Sequence, residues 1–257
     1  PNCVQYRGMM SILSQRYLNR VRQMLDEIEQ TQLDKIEQAG QMIADSLANG
    51  GAFFITPIGH GTMPELLHRG GGLMCLRGFN PSWSVPQDVA ACHRGRPREE
   101  EVVLQDEMML AAVKSSELRR GDCVLVGSVS GRTSSAVALS LALKQCGATV
   151  IALVALDYAA QVTSAHPSGK LLNEVADLVI DMRVPFGDGS LDVEGLEAPA
   201  LPLSGVSQAT ICWMVCGAVI DQMLAKGLTP AVYMSANREG GPEYNKKLEE
   251  QYNKVGY

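Results

Sequence analysis

The strongest constraint on this chain is a repeated unit: a short apolar run, a polar glycine-containing loop, then a helical stretch. Its clearest example is Cys123–Gly127, followed by a Ser/Gly loop and the long apolar stretch Ser134–Cys146, closed by Gly147. The pattern returns along the chain. Gly50 and Gly51 end one helical stretch and Ala52–Ile55 is strand-like; Thr149–Leu156 is followed by a loop and the helix-like Gly169–Ala176. Leu178–Ile180 and Ala231–Met234 are further candidate strands, with the long, mostly apolar helix Val206–Lys226 between them. Strands that alternate with helices predict an α/β domain whose parallel sheet is covered on both faces.

Before Gly51 the spacing is helical throughout. Leu13, Tyr17, Val21, Met24 and Ile28 form one stripe, and Leu33, Ile36, Ile43 and Leu47 a second. Thr31 followed by Asp34 has the form of a helix start, so two helices with a break near Thr31 are expected. Residues 1–48 are thus read as an N-terminal helical hairpin packing on the core or on a partner subunit, and residues 49–257 as the α/β domain. Two stretches interrupt the rhythm: Gly78–Pro97 and Val184–Ser204 are rich in glycine and proline and read as long loops, either substrate lids or connectors.

The 257 residues fit one large α/β domain or one domain with helical additions. The net charge is −6 and the 22 basic residues form no long run, so no nucleic-acid groove is expected. An anionic ligand must then be held by local donors rather than by a global positive field. No segment reaches the roughly 18 uninterrupted apolar residues of a membrane span, and no secretory signal is visible, so no membrane association is expected. The seven cysteines are odd in number and lack a CxxC pair, which reads as reduced thiols in a cytoplasmic protein. Cys212 and Cys216, one helical turn apart in an apolar stretch, read as buried small hydrophobes. No clustered His/Cys/carboxylate set points to a metal, and no cofactor is expected. The start at Pro1 suggests that upstream residues were removed, or that natural translation begins at Met9 or Met10.

The loop Ser128-Val129-Ser130-Gly131-Arg132-Thr133-Ser134-Ser135 joins a strand to a helix. In a parallel sheet it lies at the carboxyl edge, where ligands bind. The helix amino end supplies unpaired N–H groups and the positive end of the dipole. Gly131 permits close approach of the backbone, and the hydroxyls add donors. A helix cap needs one Ser or Thr; five hydroxyl residues in eight positions point to an anion. Neither GxxxxGK[ST] nor GxGxxG occurs here.

SVSGRTSSAV resembles the S-x-S-G-x-T signature of sugar isomerase (SIS) domains, found in phosphosugar isomerases and sugar-phosphate-sensing regulators. The stretches GHGTMPELLHRGGG, LDYAAQVTSAHPSGKLLNEVAD, GDGSLDVEGL and MSANREGGPEYNKKL resemble a little-characterised bacterial SIS branch related to phosphoheptose isomerases. The resemblance covers most of residues 12–252. It implies a five-stranded parallel sheet in a three-layer αβα sandwich of flavodoxin-like type, and a homodimer or tetramer with sites near the subunit interface. It does not fix a reaction, since SIS domains include lyases, amidotransferase subunits and non-catalytic sensors.

Ser128, Ser130, Gly131, Arg132, Thr133 and Ser134 are the expected anion-binding residues. In Gly59-His60-Gly61, Gly61 stands where the resembled branch has Ser, and His60 suits proton movement between sugar oxygens or a loop hydrogen bond. Thr62-x-x-Glu65 fits a capping box, while the resemblance implies an acidic residue here as the base between C1 and C2, a role that burial would assist by raising its pKa. Arg69 is spaced to pair with Glu65 on one helix face. His166 matches a family histidine suited to ring opening, and Lys170 suits an acidic group; a surface turn that caps the next helix accounts for both equally well. Asn237 and Glu239 suit sugar hydroxyls, and Tyr244 replaces a histidine usual in the branch. His68 and His93 read as solvated surface residues.

The expected function is an aldose–ketose isomerase acting on a sugar with a terminal anionic group, phosphate or sulfonate, through an enediol intermediate. His60 or His166 opens the ring and Glu65 carries the proton. The alternatives are an etherase-type lyase using the same base and a non-catalytic sugar-phosphate sensor.

Overall fold

The computed structural model describes residues 12–57, 62–84, 86, 88–97 and 104–257. Five short strands, β1 (Phe53–Ile55), β2 (Leu76–Gly78), β3 (Cys123–Gly127), β4 (Thr149–Val154) and β5 (Leu178–Asp181), form one sheet in the order β2-β1-β3-β4-β5. Every neighbouring pair is parallel. The central strands read as continuous apolar runs because both faces are covered. Leu125, Ile151 and Leu153 pack beneath helices α1 (Leu13–Ala48) and α7 (Ser204–Ala225). Val124, Val126, Val150 and Ala152 point the other way, as the two-residue period of a strand requires. The helices between these two are α2 (Thr62–Leu66), α3 (Gln105–Ser115), α4 (Ser134–Cys146), α5 (Leu156–Ala159) and α6 (Leu172–Val175); α8 (Gly241–Val255) closes the chain. This is the expected αβα sandwich.

Three local expectations are corrected. The helical hairpin is a single unbroken helix: α1 runs 36 residues, about 54 Å at the usual rise. Its buried stripe passes through Met24, Ile28, Gln32, Ile36, Ala39, Ile43 and Leu47, so the helix keeps its core-facing side across the expected break. Gln32 is the polar member of that stripe and accepts from the Asp181 amide at 2.9 Å. The apolar Leu33 beside it is 42% exposed. Thr31 caps nothing; its hydroxyl donates to the Glu27 carbonyl one turn back at 2.6 Å.

The fifth strand is β2 and not Ala231–Met234. That later segment makes an isolated antiparallel bridge from Val232 to Leu73, off the sheet, with Met74 N donating to Ala231 O at 2.8 Å and Tyr233 N to Gly72 O at 2.9 Å. The long loop at Val184–Ser204 contains a small antiparallel hairpin, β6 (Gly189–Leu191) with β7 (Ala200–Pro202).

Helix α7 is by length and composition apolar enough to cross a membrane, yet Ile211, Val215, Val219 and Met223 face α1 and the sheet in the core. Cys212 and Cys216 lie in the same cluster, both buried. Burial pushes the Cys216 thiol up to about 12, and Cys75 in the same core likewise to about 12.

Candidate functional site

In the order β2-β1-β3-β4-β5 the connection from β1 runs to β2 on one side and the connection from β3 runs to β4 on the other, so the carboxyl ends of β1 and β3 flank the topological switch point. A cavity of about 570 Å³ opens there. The β3–α4 loop supplies Ser128, Ser130 and Thr133 to its wall and the first turn of α4 supplies Ser135; Thr56 directly follows β1, Asn80 comes from the segment after β2, Tyr158 from α5 and Asp188 from the segment before β6.

The β3–α4 loop is held from behind. Gly131 adopts a left-handed φ of +69°, and its N–H donates to Ser128 O at 3.0 Å while its carbonyl accepts from Leu172 N at 2.8 Å. Ala155 N donates to Val129 O at 2.9 Å and Ala165 N to Arg132 O at 3.0 Å. Ser128 and Thr133 share a hydrogen bond between hydroxyls at 3.0 Å. Thr133 occupies the N-cap of α4 without a side-chain cap bond. The 13-residue helix therefore presents first-turn N–H groups at the cavity wall without a side chain covering them. Hydroxyls, free amides and the helix dipole together form a cradle for an anion.

Of the residues expected to bind or react, Ser128, Ser130 and Thr133 are brought together at this cavity. Gly131 shapes the loop from behind. Ser134 turns aside and donates to Gln105 at the start of α3. Arg132 also turns away, its Nε donating to Thr163 O at 3.0 Å. Glu65 pairs with Arg69 on the surface, with 43% of the Glu65 side chain exposed, so the burial that would assist a base is lacking. Thr62, the first residue of α2, donates to Gln208 Oε1 of α7 at 2.8 Å; no bond returns from Glu65 to the Thr62 backbone among the described residues. Lys170, Asn237 and Glu239 are exposed and away from the cavity lining. His60 lies outside the described residues.

His166 is buried, its side chain 2% exposed. The Ser168 amide donates to Nδ1 at 3.1 Å, which puts the ring hydrogen on Nε2, where it meets Asp106 Oδ1 at 2.7 Å. The ring thus ties the 164–170 loop to the first turn of α3, and both nitrogens are occupied. Replacing His166 with alanine strands the Ser168 amide and is expected to lower the unfolding free energy by about 1–3 kcal/mol, read by urea denaturation. Unchanged stability with lost turnover would instead mark the imidazole as a reacting group.

Ser135 is legible as one of the five hydroxyls of the Ser-rich stretch, whereas the sequence reading missed Thr56, Asn80, Tyr158 and Asp188. Signals were present for two of them: Tyr158 lies in LDYAAQ and Asp188 in GDGS, both among the stretches that resemble the SIS branch.

A family model described as SIS domain matches residues 16–155, from the first turns of α1 to the end of β4. A UPF0309 protein of Caldanaerobacter subterraneus subsp. tengcongensis is 35% identical over 243 residues, covering 93% of this chain and 96% of that protein. One of Streptomyces coelicolor is 30% identical over 239 residues, covering 92% and 94%. Among solved structures, a phosphoheptose isomerase from Neisseria gonorrhoeae superposes with a TM-score of 0.52 at 14% identity, over 81% of this chain and 98% of that one. At that identity the likeness speaks to the fold.

Proposed function

Because the chain belongs to the SIS-domain family, together with the bacterial UPF0309 proteins, we propose that it is an aldose–ketose isomerase for a sugar bearing a terminal anionic group, phosphate or sulfonate. The observation that carries this reading is the cavity at the β1/β3 switch point, walled by Ser128, Ser130, Thr133 and Ser135 over the amino end of α4. The anion sits on these hydroxyls and on the α4 amides, and the sugar carbons extend toward the loop that follows β1. His60 opens the ring, or His166 once its imidazole is released from Asp106. Glu65 removes the C2 proton, giving an enediol, and returns it to C1, while the O2 hydroxyl proton passes to O1.

Glu65 reaches this role only by leaving Arg69, as it would if ligand binding or a partner subunit drew α2 inward. A homodimer or tetramer with the site near its interface is part of this reading. Residues 49–257 carry the site, with residues 1–48 supporting it from the core or the partner, and the odd set of seven cysteines suits a reducing cytoplasm.

A second reading, a non-catalytic sensor of anionic sugars, is favoured by the surface pairing of Glu65 with Arg69. Incubation with aldose phosphates and 6-sulfonated sugars in deuterated water, followed by NMR, separates the two. The isomerase is expected to place deuterium at C1 or C2 and form ketose, with Glu65→Gln slower by about a hundredfold or more. Exchange with loss of a substituent would indicate a lyase. Saturable binding without exchange would leave the sensor.

A further inference from the structure

Asp188 is the one charged residue among the described residues that line the cavity. Its place is closely fixed. The backbone takes a left-handed φ of +66°, and its N–H donates to Pro185 O at 3.0 Å. Oδ1 accepts from the Leu203 and Ser204 amides at 3.1 and 2.9 Å, and Oδ2 from the Ser204 hydroxyl at 2.6 Å. Gly189, which follows it, pairs with Pro202 in the small hairpin. The carboxylate therefore caps α7, whose own N-cap residue Leu203 offers no side chain for the purpose.

This arrangement has two electrostatic effects on one cavity. The amino end of α7 would otherwise be a second place for negative charge; Asp188 fills it. The same carboxylate also sets a fixed negative charge against ligand entering a cavity whose anion cradle is the β3–α4 loop. A carboxylate accepts hydrogen bonds and donates none, so it suits sugar hydroxyls and opposes an acidic group.

We infer that Asp188 is a specificity-determining residue that restricts the cavity to sugars with one anionic end and an uncharged polyol remainder, against aldonate phosphates and bisphosphates. The inference rests on the proposed seating of the anion at the Ser128–Ser135 loop.

The test is calorimetric titration of the full chain with inorganic phosphate, glucitol 6-phosphate and 6-phosphogluconate. The last two differ only in the group at C1, a hydroxymethyl or a carboxylate. The wild-type protein is expected to bind the hexitol phosphate at least about tenfold more tightly than the aldonate. Asp188→Asn, which keeps an oxygen for the α7 amides, is expected to shrink that ratio to about threefold or less. Equal wild-type affinities, or a ratio unchanged in Asp188→Asn, would overturn the inference; the wild-type comparison decides by itself if the variant unfolds. Phosphate binding that is absent, or indifferent to Ser130→Ala, would instead sink the anion-cradle reading and the selectivity with it.

Discussion

Gly131→Val is expected to abolish measurable binding of inorganic phosphate and to lower the melting temperature. A left-handed φ of +69° is nearly closed to a β-branched residue, and for an L-residue that region costs about 1–2 kcal/mol. Space opposes the substitution as well. A Cβ on Gly131 would lie 3.1 Å from Asn173 Oδ1 and 3.2 Å from Val154 Cγ1. Val154 is buried at the end of β4, so it has no room to withdraw.

To accept valine the loop must leave the left-handed region. That breaks the bond from Gly131 N to Ser128 O and the bond from Leu172 N to Gly131 O, and it turns the neighbouring amides and hydroxyls away from the cavity. An affinity loss of about a hundredfold corresponds to roughly 2.7 kcal/mol, the scale of one to two hydrogen bonds to a charged group. Strain and crowding of about 3 kcal/mol lower the melting temperature of a chain this size by about 6–12 °C. Gly131→Ala should fall between the two proteins. A valine variant that binds phosphate like the wild type would show that the β3–α4 loop is not the anion cradle.

What the sequence disclosed follows the reach of each interaction. The β3–loop–α4 unit was legible because apolar strand, hydroxyl loop and apolar helix are contiguous, and Ser128, Ser130 and Thr133 meet in space for the same reason. Strand β2 escaped notice because Leu76-Arg77-Gly78 carries a charge and is three residues long. Its Arg77 is accommodated at the sheet edge by the Tyr252 ring, 4.4 Å from the guanidinium carbon, and by the Tyr252 hydroxyl, a partner 175 residues away. Ala231–Met234 misled for the converse reason: four residues of strand character that the fold uses for a single bridge.

The rest of the site is assembled by topology. Thr56, Asn80, Tyr158 and Asp188 come from four separate connections, and nothing in their spacing joins them. His166 shows the same limit. Its partner Asp106 is 60 residues away, so no local pattern distinguishes a tethered ring from a reactive one. The apparent break at Thr31 comes from the cap-like pair Thr31 and Asp34, and the second stripe starts at exposed Leu33 although buried Gln32 beside it is the core-facing residue.

The packing of α1 yields the other large expected effect. Gly40 lies in the middle of that helix, where glycine is about 0.5–1 kcal/mol worse than alanine. Close approach of α7 explains it: a Cβ on Gly40 would lie 2.5 Å from Ala218 Cβ and 2.7 Å from the Ala218 carbonyl carbon. Because backbone is in the way, no rotamer relieves the clash, and the helices must part. Gly40→Ala is expected to destabilise by about 1–3 kcal/mol despite its better helix propensity, and Gly40→Leu by more. Combining Gly40→Ala with Ala218→Gly should recover only part of the loss, since the Ala218 Cβ is removed but its carbonyl carbon stays in the way, giving a coupling energy of about 0.5 kcal/mol or more in a urea-denaturation cycle. Parting the helices should also reach the cavity, since the amino end of α7 is bound to Asp188 through Ser204; phosphate affinity is therefore expected to fall in Gly40→Leu at temperatures where the protein remains folded. If Gly40→Ala unfolds at the wild-type urea concentration and shows no coupling to Ala218, α1 is an appended helix and not a wall of the core, and the site does not depend on it.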